Sequence, residues 1–314
     1  MRKMIRFWGA AALSVWAATA AWSQPAATVP GAKPVRIGFV CPFTGGSQDF
    51  GNSPRLGAEL AVKEINEVGG YLGDLIELVA RDDKTNPDEG RKASEDLVLK
   101  EKVAFTVGFC NSGVALKSLD VFQDNKHLLV IPVATGSALT AKYPAATSFI
   151  FRMSARDTVQ AGFLVDNIVR PLSLRTVSER AGAAAEGAVV VQTIIQDLSN
   201  ERRASFIARS SRSAGGRPIG SLMAAAQSYD ALQLMLRVMF QTKGDTSGPA
   251  LKQALENLQR PCAGVVTTHD RPFSDTDHDA LTRNMIWLGV WRKGRIEFLY
   301  PDDAKRASMI RRKE

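Results

Sequence analysis

Cysteine is scarce. The 314 residues contain three, Cys41, Cys110 and Cys262, and no CxxC pair. That excludes a small disulfide scaffold and a thiolate zinc site, and a chain this long buries enough surface to fold without such staples. Glycine (25) and proline (14) are too few and too irregular for a collagen-like or low-complexity chain. Catalytic signatures are missing too: there is no GxSxG elbow, no P-loop and no GxGxxG. Beyond the N-terminal region no apolar run is long enough to span a bilayer, so the body of the chain is not membrane-embedded. The net charge of +8 is concentrated at the two ends, in Arg2, Lys3 and Arg6 and in Lys305, Arg306, Arg311, Arg312 and Lys313. A near-neutral middle lacks the basic face interleaved with aromatics that nucleic acid requires, so no nucleic-acid partner is expected. Residues 301–314 read as a solvated basic tail.

What is present begins with an export pattern. Residues 1–23 combine a charged start, an apolar stretch from Phe7 to Ala20, and small residues Ala21 and Ser23 before a cut ahead of Gln24. Residues 24–34 are rich in Ala and Pro and read as a flexible leader. The mature protein is expected in the periplasm.

From Val35 onward strand and helix signals alternate. Val35–Val40 is a short apolar run closed by Cys41-Pro42, the pattern of a buried parallel strand. Ala58, Ala61, Val62 and Ile65 follow at helical spacing, and Gly69-Gly70 stops that helix. Leu75–Ala80, Val103–Gly108 and Leu128–Ile131 are further strands, with helices from Pro87 and around Ala115, Leu119 and Phe122 between them. This order means an open parallel sheet with helices on both faces, and such sheets bind ligands beyond the carboxyl ends of their strands. Those ends carry the loops Pro42–Gly51, Phe109–Gly113 and Pro132–Ser137. Further on, Ala188–Ile195 is strand-like, Asn200–Arg212, Met223–Phe240 and Pro249–Leu258 are helical, and Met285–Trp291 with Arg295–Tyr300 forms a hairpin. His269 and His278 lie in a carboxylate-rich segment whose spacing fits no defined metal site, so a solvated loop is expected and no cofactor. An excreted enzyme using that loop is an alternative that metal analysis would test.

The segments Pro42-Phe43-Thr44-Gly45, Phe50-Gly51, Gly57-Ala58-Glu59-Leu60-Ala61, Ile65-Asn66, Asp82-Asp83, Asn111-Ser112-Gly113 and Ile131-Pro132-Val133-Ala134-Thr135 occur in a telling order. Together with Tyr229-Asp230-Ala231 and the C-terminal hairpin, they closely resemble the branched-chain amino-acid-binding proteins of the type I extracytoplasmic solute-binding family. The resemblance implies an α/β fold of two lobes, with parallel sheets flanked by helices, that closes on an amino acid or related carboxylate and delivers it to an ABC-type permease. It implies no catalysis. It assigns the ligand carboxylate to the Ser112 hydroxyl and backbone N–H at a helix start, and to Thr135. The ligand ammonium falls to the carbonyl of Val133, beside Ala134, and Phe50 covers the ligand. Read without the resemblance, Ser112 is a helix N-cap.

The resemblance weakens after Val169. Two to three strand–helix units of the second lobe, on the order of 80 residues at ~30 per unit, are absent, and with them the acid that grips the ammonium. The expected organisation is lobe 1 from 35–152 and 221–280, and an incomplete lobe 2 from 153–220 and 281–300. A ligand-sensing or scaffold protein of the same fold and a remnant with little binding activity are the other readings. Cys41 and Cys110 should end neighbouring strands within reach of a disulfide. Two free buried thiols are expected instead, because a one-residue offset in register would separate them.

Overall fold

A computed structural model describes residues 34–169, 187–196, 200–217, 219–292, 295–308, 311 and 313. The proposed signal and leader therefore lie outside the described residues, apart from Pro34. Strands β1 (Val35–Cys41), β2 (Ile76–Asp82), β3 (Thr106–Gly108), β4 (Leu129–Ile131) and β5 (Ile150–Arg152) form one sheet in the order β2-β1-β3-β4-β5. All its pairings are parallel, with Val35 opposite Ile76, Gly38 opposite Thr106 and Leu129 opposite Ile150. The central strands are buried on both faces, as a parallel sheet covered by helices requires.

On one face lie α1 (Gln48–Glu67) and, returning from much later in the chain, α7 (Leu222–Thr242). On the other lie α2 (Pro87–Glu95), which continues as a π-helical turn over Asp96–Lys100, and α3 (Ser112–Asp124). Between α3 and α7 come α4 (Ala138–Ala141), α5 (Asp157–Leu164) and α6 (Glu201–Ser213). After α7, α8 spans Gly248–Glu256. The contact between α1 and α7 explains Gly57, where a Cβ would collide with the Ala225 carbonyl oxygen. Gly51 is needed for a similar reason, because a Cβ there would strike the backbone of Pro42. Ser221 caps α7, its hydroxyl accepting the Ala224 N–H, and the body of the helix is buried almost throughout.

Strand β6 (Val189–Gln192) belongs to a second sheet, and β7 (Cys262–Ala263) pairs with β8 (Thr268–His269). The second sheet is completed by the hairpin β9 (Trp287–Arg292) and β10 (Arg295–Phe298), in the order β10-β9-β6. Both of its pairings are antiparallel, with Val190 opposite Gly289. The first sheet is parallel and flanked by helices as expected, and the second contains the expected hairpin. A hairpin is antiparallel by construction, and the Val189–Val191 run joins it along the other side of β9 rather than a crossover-linked neighbour.

The C-terminal residues also depart from expectation. They do not form a simple solvated tail: α9 occupies Asp302–Ser308. Lys313 Nζ donates to the Pro272 and Asp279 carbonyls at 2.9 and 2.6 Å and pairs with Asp277 at 2.8 Å. The His269–His278 segment is only partly solvated, because both histidines are buried. His269 Nε2 lies 3.2 Å from Asp230 Oδ2, and His278 bridges the Ile150 carbonyl and Glu256 at 2.9 Å each. Among the described residues no group of three or more potential ligands could hold a metal ion.

Candidate ligand-binding site

The carboxyl ends of β1, β3 and β4 lead into the three loops that the sequence pattern singled out. Asn111, not Ser112, occupies the cap position of α3, and its side chain makes no capping bond. Ser112 is therefore the first helical residue, which corrects the N-cap reading. Its hydroxyl oxygen accepts the Gly136 N–H at 3.0 Å, tying the start of α3 to the loop after β4. With that lone pair engaged, the Ser112 O–H remains available as a donor. It stands beside the first-turn N–H groups that a helix leaves without intrahelical partners.

The loop after β4 is held from several sides. Ala134 N donates to the Phe109 carbonyl at 3.2 Å, and Ser154 Oγ donates to the Ala134 carbonyl at 2.8 Å. The Thr135 carbonyl accepts from Asp157 N at 2.9 Å and from Arg152 Nη1 at 2.8 Å. Val133 and Ala134 are buried, so any contact from them to a ligand is through backbone. Thr135 is half-buried. The structure thus brings Ser112 and the 133–136 loop together.

Phe50 sits in the first turn of α1 and is 54% exposed. Pro54, inside α1, has no N–H to offer the Phe50 carbonyl. Cys110 Sγ lies 3.1 Å from that oxygen. Cys41 and Cys110 form a disulfide with Cα atoms 5.5 Å apart, which corrects the expectation of free thiols. β1 runs one residue beyond the Val40–Gly108 pairing, and the chain of β3 turns over the next two residues, so the predicted offset is absorbed in the loop. Cys262 is free and buried, and burial pushes its thiol up to about 12.

Sequence reasoning missed the support beneath this loop. Arg152 is fully buried at the end of β5, and its Nη1 also reaches the Gly136 carbonyl at 2.7 Å. Its Nε donates to Asp279 Oδ1 at 2.7 Å, and Asp279 in turn accepts from Thr140 Oγ1 at 3.1 Å. Burial lowers the Arg152 pKa, against the pull of Asp279. Nearby, the hydrogen bond from the Ser137 hydroxyl lowers that of Asp157.

Comparison with known proteins supports this fold. Residues 34–170 match the family model described as periplasmic binding protein. The Leu/Ile/Val-binding protein homolog 3 of Brucella melitensis is 35% identical over 144 residues, 46% of this chain and 38% of that protein. The Leu/Ile/Val-binding protein BraC3 of Rhizobium johnstonii is 36% identical over 127 residues, 40% of this chain and 34% of that protein. The matched stretch thus spans well under half the length of these curated relatives. Among solved structures, the branched-chain amino acid transporter substrate binding protein LivJ of Streptococcus pneumoniae, in complex with isoleucine, superposes with a TM-score of 0.67 at 18% identity. That superposition covers 84% of this chain and 98% of LivJ. A solute binding protein from R. palustris in complex with benzoate gives 0.68 at 16% identity, covering 85% and 96%. Residues 34–170 thus resemble the periplasmic binding protein family, and the fold is that of the solved substrate-binding proteins.

Proposed function

We propose that this chain is the extracytoplasmic solute-binding component of an ABC-type importer. It takes an amino acid of the branched-chain kind or a related small carboxylate. The observation that carries the reading is the Ser112–Gly136 hydrogen bond at the carboxyl end of the first sheet. It leaves a hydroxyl donor and a helix N-terminus directed at one place, a natural seat for a carboxylate. Thr135 and the Val133 and Ala134 backbone flank that seat, and Phe50 covers it. The names of the relatives and the ligands of the structural neighbours, isoleucine and benzoate, support the ligand class.

The proposed lobes are 35–152 with 221–280, and a smaller 153–220 with 281–300. A signal at 1–23 exports the chain to the periplasm. No catalytic step is assigned. The small antiparallel second sheet favours weak capture with little closure, so a sensing protein or a poorly binding remnant of the same fold is the second reading.

Calorimetry with leucine, isoleucine and benzoate tests the proposal. Losing a hydrogen bond to an anion costs ~1.5–3 kcal/mol, so Ser112→Ala should weaken binding about tenfold or more. Thr135→Val should act in the same direction. Binding that ignores both substitutions would refute the site, and submicromolar affinity would refute the weak-capture reading.

A further inference from the structure

A cavity of about 580 Å³ that shares no lining residue with the strand-end loops lies between the N-terminus of α6, the 264–268 segment, β9 and the C-terminal residues. Three guanidinium side chains line it: Arg202, Arg203 and Arg311. The one acid among its lining residues is Glu201, which is exposed. Arg203 is 4% exposed and donates to the Val266 and Ala307 carbonyls at 3.4 and 3.0 Å. Arg202 is exposed and donates to the Gly264 carbonyl at 3.0 Å. Arg311 lies 5.4 Å from the Trp287 ring centre, and its buried Nε has no hydrogen-bond partner among the described residues. The positive end of the α6 dipole adds to this field. Met285 and Trp287, the latter in contact with Arg311, give the cavity an apolar part of its wall.

We propose that this cavity is a second ligand site, for a small organic oxyanion whose apolar body lies on Trp287 and Met285. Three cations facing one acid favour an anion. Guanidinium forks suit the planar or tetrahedral oxygens of a carboxylate or phosphate. The volume is that of a small-molecule pocket. The site is independent of the strand-end reading and stands or falls without it.

The test titrates the protein with benzoate, phenyl phosphate and inorganic phosphate, by calorimetry and by tryptophan fluorescence. Past residue 23 the tryptophans are Trp287 and Trp291, so an occupant of the cavity should perturb Trp287. The expected result is binding of benzoate or phenyl phosphate, with whichever arm is tighter naming the oxyanion, and weaker binding of inorganic phosphate. Arg202→Ala and Arg311→Ala should each weaken it about tenfold or more, and Trp287→Phe should abolish the fluorescence response. Ser112→Ala should leave the Trp287 fluorescence response unchanged, even where it lowers the heat of benzoate binding at the strand-end site. No binding, binding indifferent to both arginine substitutions, or inorganic phosphate bound as tightly as the organic anions would overturn the proposal. So would binding lost in Ser112→Ala but kept in the arginine variants, which belongs to the strand-end site.

Discussion

Arg152 and Asp279, 127 positions apart, meet as a buried ion pair at the end of β5. The backbone joins there too, with Arg152 N donating to the His278 carbonyl and Ala280 N to the Arg152 carbonyl, each at 2.9 Å. One side chain thus links the last strand of the sheet, the 135–136 loop and the segment that closes the sheet's edge. Removing one member of a buried pair leaves the other charge uncompensated, at a cost of ~3–5 kcal/mol. Arg152→Met alone and Asp279→Leu alone should each lower unfolding stability by about that much. The double variant should cost clearly less than the sum. Urea denaturation of the four proteins measures the coupling, and strict additivity would show that the two charges do not depend on each other.

The Cys41–Cys110 bond closes a loop of 69 residues and ties the end of β1 to the segment leading into Ser112. Titration of unfolded, unreduced protein should find a single free thiol, Cys262. A loop of this length corresponds to ~4 kcal/mol in the chain-entropy view, so Cys41→Ser/Cys110→Ser should lower stability by up to about that amount. Three free thiols in the untreated protein would contradict the bond.

Two buried groups should give opposite pH responses. His127 lies against Thr106 Oγ1 at 3.0 Å, and burial pushes its pKa down to about 4. A histidine depressed below its unfolded value near 6.5 contributes stability that is complete above about pH 6.5 and is lost progressively as pH falls towards 4. Burial, with Asp82 beside it, pushes Asp83 up to about 6. Its folded state therefore gains on acidification, and the cost of keeping it ionised is fully present above about pH 6. Asp83→Asn keeps an oxygen for the Thr85 N–H and removes the charge. It should stabilise the protein by ~1–3 kcal/mol at pH 7 and by little at pH 4. His127→Gln should flatten the loss between pH 6.5 and 4. Thermal melts across pH 4–8 check both, and equal effects at all pH values would contradict them.

The first sheet was legible because its signals are local. Apolar runs such as Val35–Val40 and Leu128–Ile131, each closed by proline or a Cys-Pro step, mark parallel strands, and their carboxyl ends point to the site loops. What went unread depends on distant partners. Arg152 follows Ile150-Phe151 as an ordinary polar residue, and nothing nearby announces Asp279. Val189–Val191 reads as a strand, but an apolar run does not encode the direction of its neighbour, so the antiparallel sheet was invisible. Lys313 looked like one more tail charge until Asp277 and the Pro272 and Asp279 carbonyls were seen around it. Cys41 and Cys110 needed the loop geometry, beyond the strand order, to show that they meet.

α7 has a consequence for dissecting the molecule. Residues 34–170 match the family model, yet one face of their sheet is covered by α1 together with a helix that begins at Leu222. Cutting the gene at residue 170 would strip away Ala225, Leu232 and Met235 and expose Phe39, Phe105 and Val107, which share one apolar cluster with them. The family-model match ends in the middle of one apolar cluster. A fragment drawn at that boundary would be expected to aggregate or stay partly molten, and an expressible half-molecule would need the 221–280 segment supplied in trans or spliced on.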